Sequence, residues 1–74
     1  MAQVDVRATI PGSVSVIHVA DGSAVDAGET ILEIECMKTL WNIVAPAAGI
    51  VRLQVGPGEI VAQDQIVATV GTPG

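Results

Sequence analysis

Residues 19–34 read VADGSAVDAGETILEI, and residues 55–70 read VGPGEIVAQDQIVATV. The two stretches match at a spacing of 36 positions, with Val19 on Val55, Gly22 on Gly58, Val25 on Val61, Ile31 on Val67 and Ile34 on Val70. Each copy has the order of a strand, a glycine turn, a short apolar step and a second strand. Two copies are too few for a solenoid. The repeat therefore predicts two similar halves that close on one another about a pseudo-twofold axis.

The first copy contains an irregularity upstream of this repeat. Gly12 matches Gly49 only if the second copy is one residue shorter, and the shortening falls in residues 50–55. Apolar and polar residues alternate along residues 14–19, but the alternation changes phase near Val16. Such a slip predicts a β-bulge or a local twist in this strand.

Apolar and polar residues alternate between glycine and proline turns, and this pattern predicts short β-strands along the whole chain. The predicted strands cover residues 4–8, 14–19, 31–35, 40–45, 51–55 and 66–70, with short apolar steps at residues 25 and 60–61. No stretch shows the 3.6-residue spacing of an amphipathic helix. The sequence therefore predicts an all-β fold, a flattened barrel-sandwich of two antiparallel sheets with about four strands each.

The bulk composition limits the size and the partners of the protein. Its 74 residues make one domain, residues 1–74, because a second hydrophobic core would not fit. A net charge of −5 and a single aromatic residue disfavour nucleic acid and anionic membranes as partners. Neither a basic leader followed by an apolar run nor a long apolar segment is visible, which predicts a cytoplasmic location. The lone Cys36 excludes an intrachain disulfide.

Lys38 is the only lysine of the chain, and it lies between the two copies. The flanking strands predict that Cys36-Met37-Lys38-Thr39 forms a hairpin turn at one end of the sandwich. A single primary amine on such a turn is a candidate for covalent attachment, although a lone lysine on a turn is more often an ordinary solvated charge. His18 has no partner for a catalytic triad or a metal site, so neither catalytic residues nor metal ligands are predicted.

Residues 35–43, Glu-Cys-Met-Lys-Thr-Leu-Trp-Asn-Ile, resemble the attachment hairpin of the biotinyl domains in biotin-dependent carboxylases. That family carries a Glu-Ala-Met-Lys-Met type of signature with the lysine at the hairpin tip, and the similarity extends over essentially the whole chain. The resemblance implies that Lys38 accepts biotin covalently and that the biotin protein ligase recognises Glu35 and Met37. Cys36 and Thr39 depart from the family pattern, Cys36 by a small-for-small change.

The resemblance also implies a function for the whole domain, that of a non-catalytic biotin carboxyl carrier. Biotin on Lys38 would shuttle a carboxyl group between a biotin carboxylase site and a carboxyltransferase site. The biotin carboxylase and carboxyltransferase subunits are therefore implied partners, together with the ligase. A tethered cofactor visits both sites without diffusing away, so the carrier contributes effective concentration rather than a catalytic group.

Three other interpretations stay open. The related lipoyl domains share the fold and also use a hairpin lysine, so lipoate on Lys38 is the alternative cofactor. Their signature has an acidic residue directly before the lysine, where this chain has Met37, and that difference favours biotin. The domain could also be an unmodified interaction module of the same fold. A catalytic Schiff-base lysine is the last alternative, but no pocket-forming acid or aromatic set accompanies Lys38.

Overall fold

A computed structural model describes residues 2–73 of the chain, so both ends of the predicted domain, residues 1 and 74, lie outside it. The strands are β1 (Ala2–Arg7), β2 (Gly12–Ile17), β3 (Ala24–Val25), β4 (Thr30–Cys36), β5 (Thr39–Val44), β6 (Gly49–Leu53), β7 (Ile60–Val61) and β8 (Ile66–Thr72). They form two antiparallel sheets of four strands, ordered β1-β8-β6-β3 and β5-β4-β2-β7. We call the first the terminal sheet and the second the hairpin sheet. The predicted all-β sandwich is confirmed.

The two sheets are related by the predicted pseudo-twofold symmetry. Exchanging β1 with β5, β2 with β6, β3 with β7 and β4 with β8 converts one strand order into the other. The hydrogen bonds outside the strands repeat in the same way. The amide of Gly28 donates to the carbonyl of Ala45 at 2.8 Å, and the equivalent amide of Asp64 donates to that of Ala8 at 2.8 Å. The sequence repeat is therefore a structural repeat.

The predicted irregularity near Val16 is a β-bulge in β2. Val14 pairs with Ile34 of β4, and Val16 pairs with the adjacent Glu33, so Ser15 has no partner in the ladder. The equivalent strand, β6, pairs with β8 without a shift. The one extra residue of the first copy is therefore accommodated in this bulge. The other two register shifts, in the β4–β5 and β1–β8 pairs, lie at equivalent places in the two halves.

The core consists of aliphatic side chains from both sheets, and the repeat supplies equivalent members from each half. The largest fully buried side chains are Ile31, Leu32, Ile34, Val14, Val51, Val67 and Val70. Stiff β-branched side chains pack well on the pleated faces of strands, which explains how a core without Phe or Tyr can form. No side chain among the described residues is both polar and buried. Residues 2–73 also contain no helix that could span a membrane.

Candidate functional site: the Lys38 hairpin

Strands β4 and β5 form a hairpin with a two-residue loop. Cys36 and Thr39 are the last paired residues, so Met37 and Lys38 alone make the turn. The register continues without interruption through Glu35, which pairs with Leu40. The turn predicted at residues 36–39 is therefore present, and it places Lys38 at the tip of the two longest-paired strands of the hairpin sheet.

Both loop residues have a left-handed backbone conformation. The φ angle is 52° at Met37 and 64° at Lys38. Positive φ at both central residues is typical of the type I′ turn, which matches the twist of the strands but favours Asn and Gly at these positions. A side chain with a Cβ costs about 1–2 kcal/mol per residue in this conformation. Because the chain keeps Met and Lys where Asn and Gly would be more stable, the turn is a candidate functional site.

The side chains of the loop are available to a partner. Met37 is 93% exposed, although it is a large apolar residue, and Lys38 is exposed as well. Within residues 2–73 the Lys38 ammonium group makes no ion pair, since the ion pairs found there are Arg7 with Asp5 and His18 with Glu33. The Lys38 amine can therefore enter the active site of another protein without breaking an ion pair within the described residues.

The residues beside the turn differ in burial. Glu35 is exposed, and its carboxylate forms no ion pair or hydrogen bond among the described residues. Cys36 is a half-buried free thiol. Trp41 pairs with Ile34 across the hairpin and remains 44% exposed. The structure thus brings Glu35, Met37 and Lys38 together at one exposed end of the hairpin sheet.

His18, the only histidine of the chain, lies outside this site. It directly follows β2, and its Nε2 atom is 2.5 Å from Oε2 of Glu33 in β4. In the described part of the chain, no three His, Cys, Asp or Glu side chains converge in a way that could hold a metal ion. His18 therefore acts as one half of a surface pair with Glu33.

The strain of the turn can be measured by removing it. The double substitution Met37→Asn and Lys38→Gly is expected to raise the free energy of unfolding by about 1 kcal/mol, because Asn and Gly accept positive φ more readily. In a domain of this size that gain corresponds to an increase in Tm of roughly 4–8 °C in thermal unfolding. Met37→Ala is the control, since it removes the exposed side chain but keeps the strain. A double variant no more stable than this control would show that the turn is not strained.

Comparison with known proteins agrees with this geometry. A family model for biotin-requiring enzymes, the biotin/lipoyl family, matches residues 4–70, which include both halves and the hairpin. The biotinylated protein TB7.3 homolog of Mycobacterium leprae (strain TN) is 31% identical over 67 residues, which is 89% of this chain and 94% of that protein.

Solved structures of two large enzymes contain a similar domain. Urea carboxylase of Kluyveromyces lactis matches 96% of this chain with a TM-score of 0.88 and 25% identity. A single-chain, multi-domain long-chain acyl-CoA carboxylase matches 95% with a TM-score of 0.79 and 26% identity. The chain spans only 6% and 7% of the length of these two proteins. With its repeat, its two sheets and its lysine hairpin, the chain belongs to the biotin/lipoyl family of biotin-requiring enzymes.

Proposed function

We propose that this chain is a biotin carboxyl carrier and that biotin is attached through an amide bond to Nζ of Lys38. The observation that carries the proposal is the position of the only lysine, at the exposed tip of a strained two-residue turn. The family and the relatives support biotin as the cofactor, since one relative is itself a biotinylated protein and two similar structures are carboxylases.

The attachment reaction needs a neutral amine. After losing one proton, Nζ of Lys38 would attack the carbonyl carbon of an activated biotin, an acyl adenylate. The amide C–N bond forms, the C–O bond to AMP breaks, AMP leaves, and the second proton of the amine goes to a base. Among the described residues no acid or base contacts Nζ, so the biotin protein ligase supplies the base. The amide product lacks the +1 charge of the lysine ammonium group. The formal net charge of the chain therefore changes from −5 to −6, since −5 − 1 = −6.

The domain presents the cofactor but contributes no catalytic group. Two paired strands anchor the turn, so few backbone conformations are lost when it docks in an active site. Biotin on Lys38 would accept a carboxyl group in a biotin carboxylase and release it in a carboxyltransferase, and the tether keeps its effective concentration high at both. These two enzymes and the ligase are the proposed partners, and the cytoplasm is the proposed location.

We assign ligase recognition to Glu35 and Met37. Both side chains are exposed and lie within three residues of Lys38, and the Glu35 carboxylate is unpaired in the described part of the chain. Since neither side chain is needed to bury apolar surface, both are free to contact a partner.

The choice of cofactor can be tested with two ligases. The purified chain is incubated with a biotin protein ligase, biotin and ATP, and separately with a lipoate-protein ligase, lipoate and ATP. Intact mass followed by peptide mapping is expected to show one biotin on Lys38 and no lipoate. Lipoate alone would identify a lipoyl carrier, and an unmodified chain in both reactions would identify an interaction module without a cofactor.

A further inference from the structure

A row of four residues crosses the outer face of the hairpin sheet just behind the Lys38 turn. Ile60 of β7 pairs with Ser13 of β2, Ser13 pairs with Glu35 of β4, and Glu35 pairs with Leu40 of β5. Directly paired residues of antiparallel strands point to the same face of a sheet. Neighbouring strands are about 4.8 Å apart, so the row spans about 14 Å. We call it the docking row.

The docking row combines a free carboxylate with two exposed apolar side chains. Ile60 is 75% exposed, Leu40 is 51% exposed, and Glu35 lies between them. Their chain neighbours Ile34 and Val61 are buried, which confirms that the row faces away from the core. An exposed isoleucine and an exposed leucine contribute little to the core, so their presence on one face together calls for another explanation.

The twofold symmetry shows that the fold does not require these residues. The equivalent row of the terminal sheet is formed by Ala24, Ile50, Gly71 and Gln3, which pair in the same order. In the terminal sheet, Ala24 stands at the position of Ile60 and Gly71 stands at the position of Glu35. The equivalent row therefore lacks both the carboxylate and the highly exposed isoleucine of the docking row. Only the row on the sheet that carries Lys38 combines the two features.

Charge distinguishes the two sheets as well. The two arginines, Arg7 of β1 and Arg52 of β6, both belong to the terminal sheet. The outer face of the hairpin sheet carries Glu35 and Glu33. The only lysine near this sheet is Lys38 in the turn, which is the proposed attachment site. A complementary partner surface would offer a basic side chain to Glu35, with apolar side chains on both sides of it.

We propose that the docking row is bound by the enzyme that biotinylates Lys38 and that Ile60 is a specificity-determining residue for this reaction. The proposal rests on the proposed function. An enzyme that takes in Nζ of Lys38 must cover the surface behind the turn, and the row begins on the strands of that hairpin. Ile60 is 22 positions from Lys38 in the sequence, and two strand pairings place it on the same face as Glu35, with Ser13 between them.

The test compares Ile60→Lys with Ile60→Val and with the matched variant Ile50→Lys. Both lysine variants add the same charge at an exposed isoleucine, one in the docking row and one in the equivalent row of the terminal sheet. Initial rates of biotin incorporation at Lys38 are measured with a purified biotin protein ligase, biotin and ATP over a range of carrier concentrations. Thermal unfolding and amide NMR spectra confirm that each variant is folded, and peptide mapping excludes biotin on the new lysines.

We expect Ile60→Lys to lower kcat/KM about tenfold or more, mainly through KM, because it places a charge in a contact that buries an apolar side chain. Ile50→Lys should stay near the wild type, and Ile60→Val should lose much less than Ile60→Lys because it keeps most of the apolar side chain. An unchanged kcat/KM for Ile60→Lys, or an equal loss for Ile50→Lys, would overturn the proposal that the ligase binds the docking row. Either result would leave the proposed carrier function intact. If Ile60→Lys does not fold, Ile60→Ser takes its place with the same criterion. A wild-type chain that takes no biotin would overturn both proposals.

Discussion

Lys38→Arg is expected to abolish biotin incorporation while the domain stays folded. Arginine keeps the positive charge and a similar length, and it meets the same left-handed backbone conformation, so the turn changes little. Its guanidinium group stays protonated under all relevant conditions and offers no free amine to an acyl adenylate. Because the chain has no second lysine, no other side-chain amine can replace Nζ of Lys38. Intact mass after incubation with the biotin protein ligase measures the loss, and thermal unfolding measures the stability.

The matched control moves the lysine without changing the composition. The double variant Lys38→Arg with Arg7→Lys has the same residue counts and the same net charge as the wild type, but its lysine lies in β1 of the terminal sheet. This variant should also take no biotin, since an exposed lysine on a strand lacks the two-residue turn and its neighbours. Incorporation at residue 7, or undiminished incorporation into Lys38→Arg, would show that the site is not the Lys38 hairpin.

Much of the fold could be predicted because the repeat constrains topology. Two copies that match over 16 residues require equivalent strands, and equivalent strands in a small all-β domain lead to two similar sheets. The bulge in β2 was also predictable, because the change of phase near Val16 coincides with the one-residue difference between the copies.

Strand ends were less predictable for a physical reason. The sequence predicts strands over 14–19 and 51–55, but β2 ends at Ile17 and β6 ends at Leu53. Val19 packs against the core and Val55 belongs to it, although both lie beyond the paired strands. Apolar alternation reports which side chains face the core, and that set extends past the last ladder hydrogen bond.

Two features of the site depend on pairing between strands and could not be predicted from local sequence. Nothing in Met37-Lys38 favours positive φ, so the left-handed turn follows from the register of β4 and β5 rather than from turn residues. The position of Ile60 in one row with Glu35, across Ser13, depends on two strand pairings. A signal for Ile60 was nevertheless present, since the repeat aligns it with the much smaller Ala24.

Gly12→Ala is expected to destabilise the domain strongly and to disturb the Lys38 hairpin. A Cβ atom on Gly12 would lie 2.2 Å from the carbonyl oxygen of Glu35 and 2.9 Å from Cγ2 of Ile34. A backbone oxygen cannot rotate away as a flexible side chain can, so β2 and β4 must separate. We expect the free energy of unfolding to fall by about 3 kcal/mol, a large overpacking effect. Thermal unfolding should show a decrease in Tm of roughly 12–24 °C.

The symmetry supplies a control that separates stability from function. A Cβ atom on Gly49 would lie 2.2 Å from the carbonyl oxygen of Gly71, so Gly49→Ala should destabilise the domain to a similar extent. Its strain falls on the terminal sheet, whereas that of Gly12→Ala falls on Glu35, three residues before Lys38. At a temperature where both variants are folded, only Gly12→Ala should therefore slow biotin incorporation relative to the wild type. Equal rates for the two variants would show that the hairpin tolerates displacement of Glu35, and a negligible change in Tm for either would contradict the close approach of the strands.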